Sequence, residues 1–414
     1  MSKQITQEQI DLIVERLIRR VQEANTYFLI EIGDLIKKIR NLTPSKAQQL
    51  IQMLKYNGDI EEIINEIARY TKMNIADIDK IFKNYAENDL NFYEEFYRYR
   101  NIPFEPFEEN KTIKMQTEAL SNIAKNEMYN FTRENVIGYT IHDVEKGKKG
   151  KTQFYGLKET YNRVLDEAFL TVSQGKESFD NSMKRIMEDI GGSGLKTLNY
   201  ESGRSIRLDS AIRMHMNGRL AELHNENQKI IGDIIGSDGV EITVHSNPAP
   251  DHQLAQGRQF KNEEFEKLQR GEEATDTKGV KVNLDHDHKN GYRPIGEMNC
   301  YHLFFTIVLG VSEPEYSEEQ LKEIIDRNNK GFNFDKKHYS MYQGEQLQRK
   351  IETEIRKQKD IQILAKTSGD KDLMYSSQDK IRMLTNKYYQ LSKKSGLPTK
   401  LERLQINNYK KVAK

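Results

Sequence analysis

Cysteine is almost missing from this chain. Cys300 is the only one in 414 residues, which excludes an intramolecular disulfide and sets the expectation of a reducing compartment. Apolar runs are short too: no stretch reaches the roughly 18 residues of a membrane-spanning helix, so no membrane anchor is expected. No apolar core follows Met1-Ser2-Lys3, and no secretion signal is expected there. A phosphate-binding loop is also missing. Gly191-Gly192-Ser193-Gly194 has neither the later Gly-Lys-Ser/Thr nor a preceding apolar strand, so it reads as a helix end followed by a turn. What is present is 36% hydrophobic and 31% charged, a composition suited to long exposed helices rather than a dense α/β enzyme. At this length two to four structural units are expected.

The net charge of +1 hides an asymmetry. Residues 59–109 carry 13 acidic and 6 basic side chains, whereas residues 336–414 carry 19 basic and 8 acidic. A basic segment of that excess favours a polyanion through counterion release, and the candidates for nucleic-acid contact are Arg349, Lys350, Arg356, Lys357, Lys359, Lys393, Lys394, Lys410 and Lys411. The alternative is that these cations only solvate helical faces.

Most of the chain has helical periodicity. Ile10, Ile13, Val14, Leu17, Ile18 and Val21 define one long amphipathic helix, and Thr43-Pro44 marks the start of another, which Asn57-Gly58 breaks. Ile60, Ile63, Ile64 and Ile67 begin a third, ahead of Tyr93, Phe96, Tyr97 and Tyr99. With few cations interleaved, these aromatics suit a helix contact better than a base-stacking platform. Pro103 and Pro106 mark a boundary. A helix is expected from Lys111 to about Gly138, then a loop over 142–153, helices over 161–173 and 178–190, and a long one containing Leu208, Ile212, His215, Arg219 and Glu222. His215 and His224 read as ordinary surface or packing residues on that helix. Near the C-terminus, Leu347, Ile351 and Ile355 form an apolar seam beside a basic face, and a further helix covers 381–391.

Between these helices the period changes. Residues 239–245 and 280–284 alternate, and 303–309 form a continuous apolar run, predicting three short strands with a helix over 262–270. This is the only sheet expected. The fold class is therefore α+β and predominantly α-helical, divided as 1–105, 106–235, a small α+β unit at 236–312, and a basic helical region at 313–414.

Two segments in the small unit carry most of the chemistry: HSNPAPDHQLAQGRQF (245–260) and NGYRPIGEMNCYHLFF (290–305). Their pattern of His245, Pro250, His252, Gln256, Gly257 and Phe260, then Gly291, Gly296, Asn299, Cys300 and His302, resembles the core of the phage minor capsid protein 2 family, relatives of the Mu-type head morphogenesis proteins. The resemblance extends over roughly 111–411, through flanking helices at 199–219 and 338–360 and the ending GLPTKLERLQINNYKK. The chain departs from the family at Ala249, Ala255, Met298 and Tyr301, where Arg, Trp, Trp and Arg are common. The resemblance implies a non-enzymatic minor head protein, built with the portal protein and other head proteins into a procapsid in the host cytoplasm. It would lie inside the virion beside packaged double-stranded DNA and could be ejected with it. The acidic, aromatic N-terminal region is the expected portal-docking surface.

Two chemical readings stay open. His245, His252, Cys300 and His302 make an acceptable tetrahedral donor set for zinc, and a metal adds most where it ties two halves of a small unit together. Without paired Cys-x-x-Cys knuckles, Cys300 also reads as a small buried hydrophobe and the histidines as hydrogen-bonded turn residues. Separately, DHDHKNGYR (285–293) is similar to the metal-binding segment of His-Asn-His phage nucleases, which would make Asp285 to His288 catalytic. That fold needs two cysteine pairs for its structural zinc, and one cysteine does not supply them.

Overall fold

Ile10, Val14, Leu17, Ile18 and Val21 are buried along one face of helix α1 (Gln7–Arg40), the outcome their spacing dictates. The computed structural model describes residues 7–57, 60–133, 135–143, 148–198, 205–284, 293–296, 300, 302–407 and 409. Helix α2 (Pro44–Asn57) begins at the proline, and Gly58, the expected breaker, lies outside the described residues. Then come α3 (Ile60–Phe92), α4 (Glu94–Tyr99) and α5 (Lys111–Arg133). After the hairpin β1 (Val136–Asp143) and β2 (Lys148–Gly156) follow α6 (Leu157–Val172), α7 (Lys176–Ser193), β3 (Lys196–Leu198), β4 (Ser205–Arg207) and the long α8 (Leu208–Ile235). The small unit contains β5 (Gly239–Ile242), β6 (Gln259–Lys261), α9 (Asn262–Gln269), β7 (Ala274–Thr275), β8 (Lys281–Val282) and β9 (Phe304–Ile307). The chain ends with α10 (Glu318–Lys330), β10 (Phe332–Phe334), β11 (Lys337–Tyr339), α11 (Met341–Ser368), α12 (Lys371–Ser395) and α13 (Leu401–Leu404). The fold is predominantly α-helical α+β, and no described helix is long and apolar enough to cross a membrane.

Two sheet expectations are corrected. The helix expected to reach Gly138 stops at Arg133, and the expected loop over 142–153 is largely hairpin, with Val136 opposite Gly156 and Gly138 opposite Phe154. With β3 and β4 it forms a four-stranded antiparallel sheet in the order β2-β1-β3-β4. Only β2 is lysine-rich and without hydrophobic alternation; in β1 Ile137, Tyr139 and Ile141 alternate with Gly138, Thr140 and His142. The backbone groups of both strands are satisfied by the ladder itself, and Val136 and Ile137 bury one end near α7. In the small unit the three-stranded sheet has the order β6-β5-β9, so the third strand is Gln259–Lys261. The 280–284 segment instead pairs Lys281–Val282 with Ala274–Thr275 in a separate two-stranded ladder. Val282 and Leu284 still enter the small core, so the alternation reported burial correctly and the pairing partner wrongly.

Three cores organise the molecule. The largest takes side chains from Ile10 to Leu373, drawing on both sides of 105/106 and of 235/236. A second, around Val240, Ile242, Phe260, Leu268 and Phe304, belongs to the small unit. The third joins α11, α12 and the β10–β11 hairpin.

Helix α11 runs along α1, α7 and α12, and every residue from Gln358 to Ala365 is buried. Gly191 makes the α7 crossing possible: a Cβ there would lie 2.8 Å from the Ile361 backbone. The glycine cluster thus closes α7, with Gly194 at φ +59°, and lets α11 approach. Gly191→Ala is expected to lose about 1–3 kcal/mol through overpacking. Gly192→Ala, whose Cβ meets nothing within 4 Å, should not lower stability. Urea midpoints of the two variants compare them directly.

Candidate metal centre

The two motif segments meet at the edge of the small sheet. After β5, the chain passes His245 and enters a tight turn in which the His252 and Gln253 N–H groups donate to the Ala249 carbonyl and the Gln256 N–H donates to that of His252. Gly257, at φ +68°, ends the turn and donates to the Ile242 carbonyl at 2.8 Å. A Cβ there would strike Leu321 and Val244. This places His252, Ala255 and Gln256 in the interior, with Pro250 exposed at the turn. The second segment reaches the same place through Gly296 (φ +83°) and then Cys300 and His302, ahead of β9. Phe260 and Phe304 share the core beneath.

His252, Cys300 and His302 are buried, and one donor atom of each lies within 4.8 Å of the other two, a grouping found nowhere else among the described residues. The Cys300 Sγ is 3.3 Å from His252 Nδ1 and 3.6 Å from His302 Nδ1. The opposite nitrogen of each ring is held by an oxygen. His252 Nε2–H donates to the Arg293 carbonyl at 2.6 Å, and His302 Nε2–H donates to Gln256 Oε1 at 3.3 Å. Because a carbonyl oxygen only accepts, each Nε2 carries a proton, and in the neutral ring each Nδ1 lone pair faces the sulfur. Gln256 Oε1 also accepts the His245 backbone N–H at 2.9 Å, and Asp251 pairs with Arg293 at 3.0 Å. Burial pushes the Cys300 thiol up. Burial, with His245, His252 and Arg293 adding to it, drives His302 well below the ordinary histidine value, so its ring is neutral.

His245, the fourth donor proposed from sequence, is half-buried, with its ring edge-on to His302 at 4.6 Å between centroids. It stands beside the three-residue group rather than within it. Gly291, Met298, Asn299 and Tyr301 lie outside the described residues, as does Asp285 to His288, the segment of the nuclease reading. Sequence reasoning missed the Arg293 carbonyl and Asp251. A backbone acceptor leaves no residue-type signal, and Asp251 was hidden among turn residues.

The proposed nucleic-acid residues divide. Arg356 and Lys359 are buried: Arg356 donates to the Arg403 carbonyl at 2.6 Å and pairs with Asp209 at 3.2 Å, while Lys359 donates to the Leu404 carbonyl at 2.7 Å. These two are committed to the interior because α11 is covered on the side read as its basic face. Arg349 and Lys357 are half-buried beside Glu345 and Glu354. Lys350, Lys393 and Lys394 are exposed, and Lys410 and Lys411 lie outside the described residues. The aromatic stretch is core rather than docking surface, since Tyr93 and Tyr97 are buried and only Tyr99 of the four is exposed.

His224, read as surface or packing, is completely buried with both ring nitrogens against oxygens: Asp89 Oδ1 at 3.0 Å and the Phe304 carbonyl at 2.9 Å.

In comparison with known proteins, the family model for phage minor capsid protein 2 matches residues 5–391. No curated protein and no solved structure matches the chain.

Proposed function

Since the chain belongs to the phage minor capsid protein 2 family, we propose that it is assembled with the portal protein into the procapsid in the host cytoplasm and stays inside the head, its C-terminal helices turned toward packaged DNA. The protein is a structural component of the phage head and resides in the virion with other head proteins. The finer placement draws its support from one observation: the exposed cations Lys350, Lys371, Lys380, Lys393 and Lys394 sit on α11 and α12, while the buried ones of the same region are spent on internal contacts. Exposed lysines of this kind are available to phosphates, and double-stranded DNA is the polyanion a filled head contains.

The test is titration of a labelled duplex at several salt concentrations. The wild-type affinity is expected to fall steeply with salt. In Lys350→Glu/Lys393→Glu/Lys394→Glu the logarithmic slope should shrink by about 0.9 for each lysine that touches a phosphate. An unchanged slope discards the DNA-facing role and leaves these side chains as a solvated face. Portal association is checked by co-purification with the portal protein of the same phage. Deleting the N-terminal region is unsuitable for this purpose, because α1 and α3 are core elements.

A further inference from the structure

We propose that the protein binds one zinc ion through His252 Nδ1, Cys300 Sγ and His302 Nδ1, and that this ion staples the 249–257 turn to the segment entering β9. The inference stands independently of the portal and DNA reading.

Three features carry it. First, the donors converge: two imidazole nitrogens approach one sulfur at 3.3 and 3.6 Å in a buried site, and the three residues come from segments 48 positions apart. Ordinary packing of a small apolar thiol does not require two ring lone pairs aimed at it. Secondly, the tautomers are set. Nε2–H of His252 is anchored on the Arg293 carbonyl and that of His302 on Gln256 Oε1, the outer hydrogen bonds that orient metal-binding imidazoles and raise their basicity. Gln256 is itself fixed by the His245 N–H, and Arg293 by Asp251. Thirdly, the donor types suit the ion: one thiolate and two imidazoles match borderline zinc better than the hard oxygen-seeking cations.

Metal-free, the buried thiol keeps its proton, which an adjacent Nδ1 can accept as a hydrogen bond. On zinc binding, the S–H bond breaks, the sulfur lone pair and the two nitrogen lone pairs are donated to the ion, and one proton leaves to solvent. The energetic benefit falls on a small unit whose apolar core is slight beside the main one. His245 lines an adjacent cleft of about 200 Å³ together with Arg293 and His302, so the centre has a solvent side through which an ion can enter.

The experiment uses the full chain, without a histidine tag and purified without chelator. Mass spectrometry of the metal should find about one zinc per chain. EDTA should lower the melting temperature, and added zinc should restore it. Replacement by Co²⁺, with a solvent molecule from the adjacent cleft as fourth ligand, should give the visible bands of a tetrahedral site together with a near-ultraviolet sulfur-to-cobalt charge-transfer band, and Cys300→Ser should lose the latter. His252→Gln should lose the metal. Because either variant can fail to fold, the wild-type protein decides alone. Zinc well below one per chain with no spectral change on cobalt titration overturns the proposal, and so does cobalt binding without the thiolate band.

Discussion

Asp209→Ala is expected to cost about 3–5 kcal/mol, because it strands two buried guanidinium groups without their shared carboxylate. Asp209 opens α8 at 5% exposure. Its Oδ1 lies 3.4 Å from Arg207 Nε and its Oδ2 3.2 Å from Arg356 Nε on α11. Arg207 also donates to Asp360 Oδ2 at 2.9 Å. The cluster therefore bolts the start of α8 to the centre of α11 through charge rather than apolar contact. Two checks separate this from a simple cavity. Urea unfolding of Asp209→Ala/Arg356→Met, which removes one charge of each sign, should show a smaller loss than the single substitutions summed. A loss below about 1 kcal/mol in Asp209→Ala would show that solvent, not Asp209, balances the arginines.

The same cluster sets an acid response with two opposing parts. Burial acts to raise the Asp209 pKa, but Arg207, Arg356 and Arg213 outweigh it and hold the carboxyl well below the ordinary 3.8. Its contribution is fully present above that ordinary value and is lost as the pH falls through the depressed one. Asp360 behaves in reverse: with Arg207 as its one arginine and the Asp209 charge adding to the effect, burial prevails and pushes it up to about 6. Its contribution is greatest below 3.8 and is lost as the pH rises through about 6. Asp360→Asn should therefore flatten the stability profile between about pH 4 and 6, and Asp209→Asn should remove part of the loss at lower pH. Urea midpoints from about pH 2 to 7 read both.

The second effect is expected at Asp89→Ala, about 1–3 kcal/mol, at a different junction. Asp89 is 3% exposed on α3 and accepts from Gln228 Nε2 at 3.1 Å. It also faces His224 Nδ1 at 3.0 Å. His224 and Gln228 continue the network to β9: His224 reaches the Phe304 carbonyl, and Gln228 Oε1 accepts the Thr306 N–H at 3.0 Å. Tyr93 joins through its hydroxyl, which donates to Gln228. Removing the carboxylate leaves the Gln228 amide donor without its acceptor, at the seam where the small sheet meets the helical body. Limited proteolysis should thus cut the Asp89 variant first in the small unit and the Asp209 variant first around α8 and α11. Identical cleavage patterns in the two would count against separate junctions.

Several elements were legible before any coordinates, for a physical reason. Helices α1 and α3 carry an apolar stripe at helical spacing because one side faces solvent, and that contrast is written in the residues. The small α+β unit announced itself through alternation and tight turns, and two separated motifs offered His245, His252, Cys300 and His302, of which the structure brings the last three together. The hairpin at 136–156 was missed because its second strand is lysine-rich and shows no period of two, so the alternation of Ile137, Tyr139 and Ile141 in the first had no visible partner. The third strand was misplaced because 280–284 alternates as a strand does, whereas Gln259–Lys261 is too short to show a pattern.

By itself, then, the sequence determined the class of fold and the family, because these depend on local periodicity and residue type, and it offered four candidate donors, of which three meet. Only the tertiary structure decided which cations are free. Arg356 and Lys359 belong to a helix as polar as its exposed neighbours, yet α1, α7 and α12 enclose it. Burial depends on everything that packs around a side chain, and distant segments supplied the carboxylates and carbonyls that make enclosing those charges tolerable.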